Sequence, residues 1–323
     1  MKPALHSRDV QASHPAIPMA LSRVGVTNVE KVTRIGAQLY YAKLDCFVDL
    51  GPNQKGAHMS RLGEVVNEVI GEVVLGEGAF KAEQLAERIA LEVRERQQAV
   101  RAEVTLAARY PEYKPAPVSG IATQEIYTLL GSAVASERGT RRLIGVAAQG
   151  MTACPCAQQL VARRSAERLA ADGFTGDEIA RILEAVPLAT HNQRGLGTLH
   201  LGLPERCDTD IDAAELLAIV EDSMSSEIYE LMKRSDEGAV VEKAARRPRF
   251  VEDCVREAIR RVIEHFGGLR DDIFVSARQE NLETIHQHHV VAERFGLLGE
   301  LRRELSDGDH IAHHTTMREW LDA

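Results

Sequence analysis

The sequence predicts an α+β protein built from two tandem β-β-α-α-β-β units. Three observations carry this expectation. Runs of strict apolar–polar alternation mark half-buried strands. Apolar stripes at helical spacing lie between those runs. The second half of the chain then repeats the mixture found in the first. The 323 residues suffice for about two domains at roughly 150 residues each. The expected divisions are an N-terminal arm over residues 1–20, a first unit over 21–138 and a second over 139–323.

Pro3, Pro15 and Pro18 discourage helix in the arm. Val24 and Val26 open a first strand. Leu44, Cys46, Val48 and Leu50 alternate with Lys43, Asp45 and Asp49 in a second. After the turn Gly51-Pro52-Asn53, Met59, Leu62, Val66 and Val69 recur at helical spacing, and Gly76 to Gly78 break that helix. Leu85, Ile89 and Val93 mark another helix. The cleanest alternation runs from Val100 to Tyr110. Prolines assign Tyr110 to Val118 to a loop, and a strand is expected near Ile126 to Val134.

A turn at Ser136 to Thr140 leads into a strand over Arg142 to Ala148. Helices follow at Ala157 to Ala171 and Glu178 to Ala185, the latter with the capping box Thr175-x-x-Glu178. Leu199, Leu201 and Leu203 suggest a strand. Asp212-x-x-Glu215 opens a helix in the manner of a capping box. Val251, Val255, Ile259, Val262 and Phe266 form an apolar helical stripe that Gly267-Gly268 ends. Final strands are expected at Ile273 to Ala277 and around Thr284 to Val290.

Bulk composition narrows the function. A hydrophobic content of 44% suits a globular core. A net charge of −9 argues against broad attraction to nucleic acid or anionic membrane, although a local Arg/Lys pocket can still bind a polyanionic small molecule. Five cysteines without regular spacing do not read as a disulfide framework. No signal pattern opens the chain, and no apolar run approaches the ~20 residues of a membrane helix. The expectation is a soluble, cytoplasmic protein.

The chemistry-bearing residues cluster in a few places. Cys154-Pro155-Cys156 joins a strand to a helix, where backbone N–H groups and the helix dipole stabilise a thiolate. Such a pair can bind a metal or attack a substrate, and the lesser alternative is two buried thiols. His191-Asn192-Gln193-Arg194 is polar, as a plain loop would also be. Asp236-Glu237 reads alone as a solvated charged turn. Glu252 suits the first turn of its helix. His286 and His288, spaced i, i+2, share one face if the segment is extended. Lys55 to Arg61 is a Gly-containing basic segment that opens a helix, a setting that suits phosphate oxygens. His310, His313 and His314 read as a solvated tail.

Taken in order, these segments resemble the metal-dependent GTP cyclohydrolases of the type IB and archaeal kind. The matching residues are Asp9-Val10-Gln11, Val24-Gly25-Val26, Gly56 to Arg61, Cys154-Pro155-Cys156 and His191 to Arg194. They continue with Lys233-Arg234-x-Asp236-Glu237, Phe250-Val251-Glu252-Asp253 and Ile285-His286-Gln287-His288. The stretch Ala157 to Thr190, between the cysteine pair and His191, is longer than expected of bacterial type IB enzymes. Gly195 stands where serine is usual. The archaeal-type branch is therefore the nearer resemblance, and the departure bears on the product rather than on the reaction class.

The resemblance implies a bimodular tunnelling fold, or T-fold, of antiparallel sheets with helices on one face. It implies a homo-oligomer, a dimer or tetramer with active sites between subunits. It further implies that GTP loses C8 as formate and recloses to a dihydropterin, with water activated by a divalent metal. Under that resemblance Cys154, His191 and Glu237 are the metal ligands, and Cys156 is a catalytic residue that binds the metal or stands next to its ligands. Glu252 anchors guanine. His286 and His288 move protons or add metal contacts. Lys55, Ser60 and Arg61 hold the triphosphate. The donor mix suits Zn²⁺ or Fe²⁺, with Mn²⁺ a further candidate, and the archaeal-type resemblance favours Fe²⁺. One competing reading is the NADPH-dependent nitrile reductase of the same fold. Its Glu-Ser-Lys-Ser run is absent, since Asp253-Cys254-Val255 follow Glu252. Another is a zinc-stabilised binding protein, whose site would be closed by four protein ligands.

Overall fold

The computed structural model describes residues 10–75, 81–207, 209–308 and 313–323. Pro3, Asp9, the expected break at Gly76 to Gly78, and His310 lie outside the described residues. The strands are β1 (Leu21–Ile35), β2 (Gln38–Leu50), β3 (Ala102–Pro115), β4 (Ala122–Ser136), β5 (Gly139–Ala153), β6 (Asn192–Leu203), β7 (Ser226–Glu227), β8 (Phe274–Leu282) and β9 (Val290–Leu297). They form one antiparallel sheet in the order β1-β2-β3-β4-β5-β6-β8-β9, with short β7 paired to β5. The helices are α1 (Met59–Leu75), α2 (Ala82–Gln97), α3 (Pro155–Ala171), α4 (Gly176–Ala185) and α5 (Ala213–Ser223). Then come α6 (Arg234–Arg246), α7 (Val251–His265), α8 (Leu298–Asp307) and α9 (Met317–Asp322).

The first part of the chain runs β1-β2-α1-α2-β3-β4, the predicted order. The second is longer. Helices α3 and α4 intervene between β5 and β6, and α5, β7, α6 and α7 separate β6 from β8. The boundary expected near residue 138 falls in the β4–β5 hairpin, where Ser136 pairs with Gly139.

Alternation decides which side of the sheet is buried. Ala42, Leu44, Cys46 and Val48 of β2, Val104 and Leu106 of β3, and Ile144 and Val146 of β5 all enter the main core. There α2 packs on β3 and β4, α5 on β5, and α7 on β8 and β9. The α7 stripe is buried as its spacing predicts, through Val251, Val255, Ile259 and Val262. The expectation of helices on one face alone needs correcting. Leu143 and Phe274, each adjacent in sequence to a main-core residue, point to the opposite face and pack there with Trp320 of α9. The Trp320 indole N–H donates to the Asp272 carbonyl at 3.1 Å. On that same face the His200 ring lies against Gly145, where a Cβ would come within 2.3 Å of it.

Three further expectations are corrected. The segment 110–118 is not a loop as far as Pro115, because β3 stays paired with β4 from Tyr110↔Tyr127 to Pro115↔Ala122. The pairing of β3 with β2 ends at Ala108, so Pro111 and Pro115 sit on a free edge, where a missing N–H costs least. Residues 284–288 are bends rather than strand, and β9 begins only at Val290. Asp212 does cap α5, but by accepting from the Ala214 N–H at 2.9 Å, without a reciprocal bond from Glu215. The α4 capping box forms as predicted. Among the described residues no helix is long and apolar enough to cross a membrane.

Phe274 is fully buried, so Phe274→Ala should lower the unfolding free energy by about 3–5 kcal/mol, as for other large-to-small core changes. Urea titration measures this. A loss under about 1 kcal/mol would mean that the α9 cluster collapses around the cavity at little cost.

Candidate active site

The site begins where β5 and β6 end together. Their ladder runs to Ala153↔Asn192 and continues one bond further, with the Cys154 N–H donating to the His191 carbonyl at 3.1 Å. The Thr190 hydroxyl donates to the Cys154 carbonyl at 2.6 Å. Cys154 is the N-cap of α3, and Pro155 takes the first helical position, where its missing N–H is no loss. Residues far apart in sequence thus become neighbours at one strand end. The strand is held from below as well. The Ser225 hydroxyl accepts from the Ala153 N–H at 3.1 Å, and the Arg249 N–H donates to the Ala153 carbonyl at 2.9 Å.

Cys154 and His191 line a cleft of about 240 Å³ with Arg249, Glu252, Glu283, His286 and His288. His191 Nδ1 stands 3.0 Å from Gln193 Oε1, and Gln193 Nε2 donates to Thr152 Oγ1 at 2.9 Å. The Glu283 side chain is 6% exposed, with Oε2 3.8 Å from His191 Nδ1 and without a hydrogen-bond partner. The rings of His286 and His288 stack with centroids 5.1 Å apart. They were expected on one face of a strand. Instead they sit on the β8–β9 loop, which the Thr284 hydroxyl ties to the Asn192 carbonyl at 3.0 Å, and stacking brings them together. The Arg249 guanidinium donates to the Asp222 and Ser223 carbonyls, which holds the chain leading into α7 and Glu252.

The other candidates lie elsewhere. Cys156 is exposed on the first turn of α3. Glu237 is exposed on the first turn of α6 and does not line the cleft. Lys55 lies on the β2–α1 loop, and Ser60 and Arg61 lie in the first turn of α1. All three are exposed and outside the cleft. The Lys55 N–H donates to the Gln11 and Ser13 carbonyls, which pins the arm beside this loop. Of the tail histidines, His313 is exposed and His314 Nδ1 meets the Arg294 guanidinium.

Four polar cleft residues fall outside the sequence-based assignments: Gln193, Arg249, Asn281 and Glu283. Gln193 belongs to the His191 to Arg194 motif, but its role needs the Thr152 hydroxyl across the ladder. Glu283 carried no local signal at all.

Adjacent to Glu237 the structure builds a rigid joint. Asp236 is fully buried and accepts from the Val118 and Ser119 N–H groups at 2.8 Å each, from the Ser119 hydroxyl at 2.7 Å and from the Lys233 N–H at 2.9 Å. Burial alone would push this carboxyl up. The bonds from Ser119, Lys233 and Val118 outweigh burial and hold it well below the usual carboxylate range.

The donor chemistry of the cleft fits a divalent metal, with a thiol and an imidazole on adjoining strand ends and a buried carboxylate oxygen without a partner. Among the described residues of the single chain, no group of three or more His, Cys, Asp or Glu side chains is close enough to hold the ion.

Comparison with known proteins gives one consistent answer. The family model of type I GTP cyclohydrolase folE2 matches residues 8–292. GTP cyclohydrolase MptA of Methanococcus aeolicus is 41% identical over 308 residues, covering 92% of this chain and 99% of that protein. GTP cyclohydrolase MptA of Methanosarcina mazei is 42% identical over 312 residues, covering 92% and 97%. Among solved structures, a hyper-thermostable AgUricase mutant aligns with a TM-score of 0.50 at 9% identity, over 93% of this chain and 97% of that one. That likeness is one of fold alone.

The Asp236 joint predicts a pH signature. A carboxyl held low in the folded state adds stability that is present above its unfolded pKa and is lost as pH falls. Asp236→Asn should therefore melt below the parent near neutral pH, and the gap should narrow as pH drops below about 4. Melting curves across pH check this, and a gap that does not vary with pH would refute the charged clamp.

Proposed function

The chain belongs to the type I GTP cyclohydrolase family, and on that premise we propose how its residues open the imidazole ring of GTP. The reaction loses C8 as formate and recloses to a 7,8-dihydroneopterin that keeps its triphosphate or becomes a 2′,3′-cyclic phosphate. It is the first step of methanopterin or folate-type pterin biosynthesis. The observation that carries the reading is the meeting of Cys154 and His191 in one cleft with Glu252, His286 and His288.

Cys154 and His191 would hold the metal, Fe²⁺ in preference to Zn²⁺ or Mn²⁺. A metal there supplies a Lewis acid that brings the pKa of water toward neutrality. Glu237 is the proposed third ligand, and it must approach from α6 or from a second copy. Glu252 accepts from the guanine N1–H and 2-amino group, which fixes C8 in the cleft. His286 and His288 pass protons as the ring opens, formate leaves and the new ring closes. Cys156, exposed one residue past the helix start, is the further proposed catalytic group, reaching the metal or its ligands from outside the cleft lining. Lys55, Ser60 and Arg61 hold the triphosphate. Since they lie outside the cleft of their own chain, a homodimer or homotetramer would supply them from the neighbouring subunit.

Cys154→Ala and His191→Ala should each lose metal and pterin formation together, as read by metal analysis and by fluorescence of oxidised product. Full occupancy with normal turnover in either variant would remove that residue from the metal site. Glu252→Gln places a donor against a donor. Hydrogen bonds to a charged group are worth roughly 1.5–3 kcal/mol, so kcat/KM for GTP should fall about ten- to over a hundred-fold. Parent-like turnover would leave Glu252 as a helix-start carboxylate only. His286→Asn or His288→Asn should keep metal yet stall after ring opening, with a formylated intermediate seen by mass spectrometry. Unchanged pterin formation in both would take the pair out of the chemistry.

A further inference from the structure

We infer that Gln193 and Glu283 together fix His191 as the tautomer protonated on Nδ1, so that Nε2 presents its lone pair to the cleft. The inference rests on the reading of His191 as a metal ligand, and it assigns Gln193 as a positioning residue.

Gln193 is 5% exposed and faces the buried side of β6, directly across the ladder from Thr152, which is fully buried. Its side chain reaches Thr152 Oγ1 at one end and His191 Nδ1 at the other, at 2.9 and 3.0 Å. A hydroxyl can donate or accept, so Thr152 alone does not decide which way the amide points. Glu283 decides it. Its buried Oε2 lies 3.8 Å from the same Nδ1 and makes no hydrogen bond. An unprotonated Nδ1 would set a lone pair against that carboxylate. A protonated Nδ1 faces a negative charge and donates to Gln193 Oε1. The amide then turns its Nε2 toward Thr152, and the imidazole N–H, the amide and the hydroxyl are paired in one arrangement, with the Glu283 carboxylate beside them as an unbonded charge.

The consequence lies at the other nitrogen. With the proton on Nδ1, the neutral ring has its only lone pair on Nε2. Outer partners of a ligating histidine typically change metal affinity by 10–100-fold. The geometry is asymmetric in a useful way. Glu283 biases the ring electrostatically without bonding it, whereas Gln193 sets the ring plane through a bond anchored in the sheet.

The test uses the full-length protein, stripped of metal and reloaded with Co²⁺ or Zn²⁺ in competition with a chromophoric chelator. Gln193→Leu should weaken binding about ten- to a hundred-fold. Gln193→Glu keeps an acceptor toward Nδ1 and lets the Thr152 hydroxyl donate, so it should bind within a few-fold of the parent. Long-range proton–nitrogen NMR correlation on the metal-free parent should show His191 protonated on Nδ1, with the signal identified by its loss in His191→Ala. Parent-like affinity in Gln193→Leu, an equal loss in Gln193→Glu, or an Nε2-protonated ring in the parent would each overturn the inference. Undiminished metal binding in His191→Ala would instead overturn the ligand reading beneath it.

Discussion

The site depends on one pairing, the antiparallel ladder of β5 and β6. It carries Cys154 and His191 to the same end of the sheet and then bonds them backbone to backbone. The excursion through α3 and α4 can be long because the ladder fixes both of its ends. Neither helix buries a residue fully. The excursion is tied back by polar bonds, from Gln158 to the Ala245 carbonyl and from Arg246 to the Glu184 and Ala185 carbonyls. The last of these satisfy carbonyls at the end of α4 that have no partner within the helix.

Strand β6, which pairs with β8 on its other side, changes character along its length. Far from the site its helix-facing row is apolar, with Leu199 and Leu201 beside Val275 and Ala277. Toward the cleft the row becomes Gly197, Gly195 and Gln193 beside Gln279 and Asn281. Glycine is needed there for space rather than for backbone freedom. A Cβ on Gly197 would come within 2.5 Å of Val220, and one on Gly150 within 2.5 Å of Met224. Both neighbours belong to the end of α5, which therefore sits close to the sheet beneath the site. Buried amides in this layer bond one another, as Gln279 Nε2 does Asn281 Oδ1 at 3.1 Å. Core apolar area is given up here for fixed polar geometry, which a site of preorganised ligands requires.

Around this rigid centre the remaining groups come from loops and helix starts, each held by a few bonds. Arg249 clamps the approach to α7, Asp236 clamps the start of α6 to the β3–β4 turn, and Thr284 holds the histidine loop. Glu237 and the Lys55 to Arg61 segment lie at the periphery of the single chain. That division suits a site finished by motion or by a neighbouring copy.

Much of this was legible in the sequence. Period-two alternation identified β2 and β3, helical stripes identified α2 and α7, and the order of motifs identified the family before any coordinates. These signals are local, since each reports the burial of one face of one element. What only the tertiary structure decided is non-local. Pro111 and Pro115 look like a loop until β3 is seen to run on as an edge strand. His286 and His288 look like neighbours on a strand, yet they meet by stacking on a loop. Glu283 carries no pattern, because its meaning is a distance to His191 set by the register of β6 with β8. Gln193 was visible as a letter in a motif, and its function exists only through Thr152 on the opposite strand. Sequence determined which faces must be buried and which residue types were available, because burial and chemistry belong to the residues themselves. Tertiary structure decided which of them share a cleft, because strand register, unlike periodicity, is a relation between distant parts of the chain.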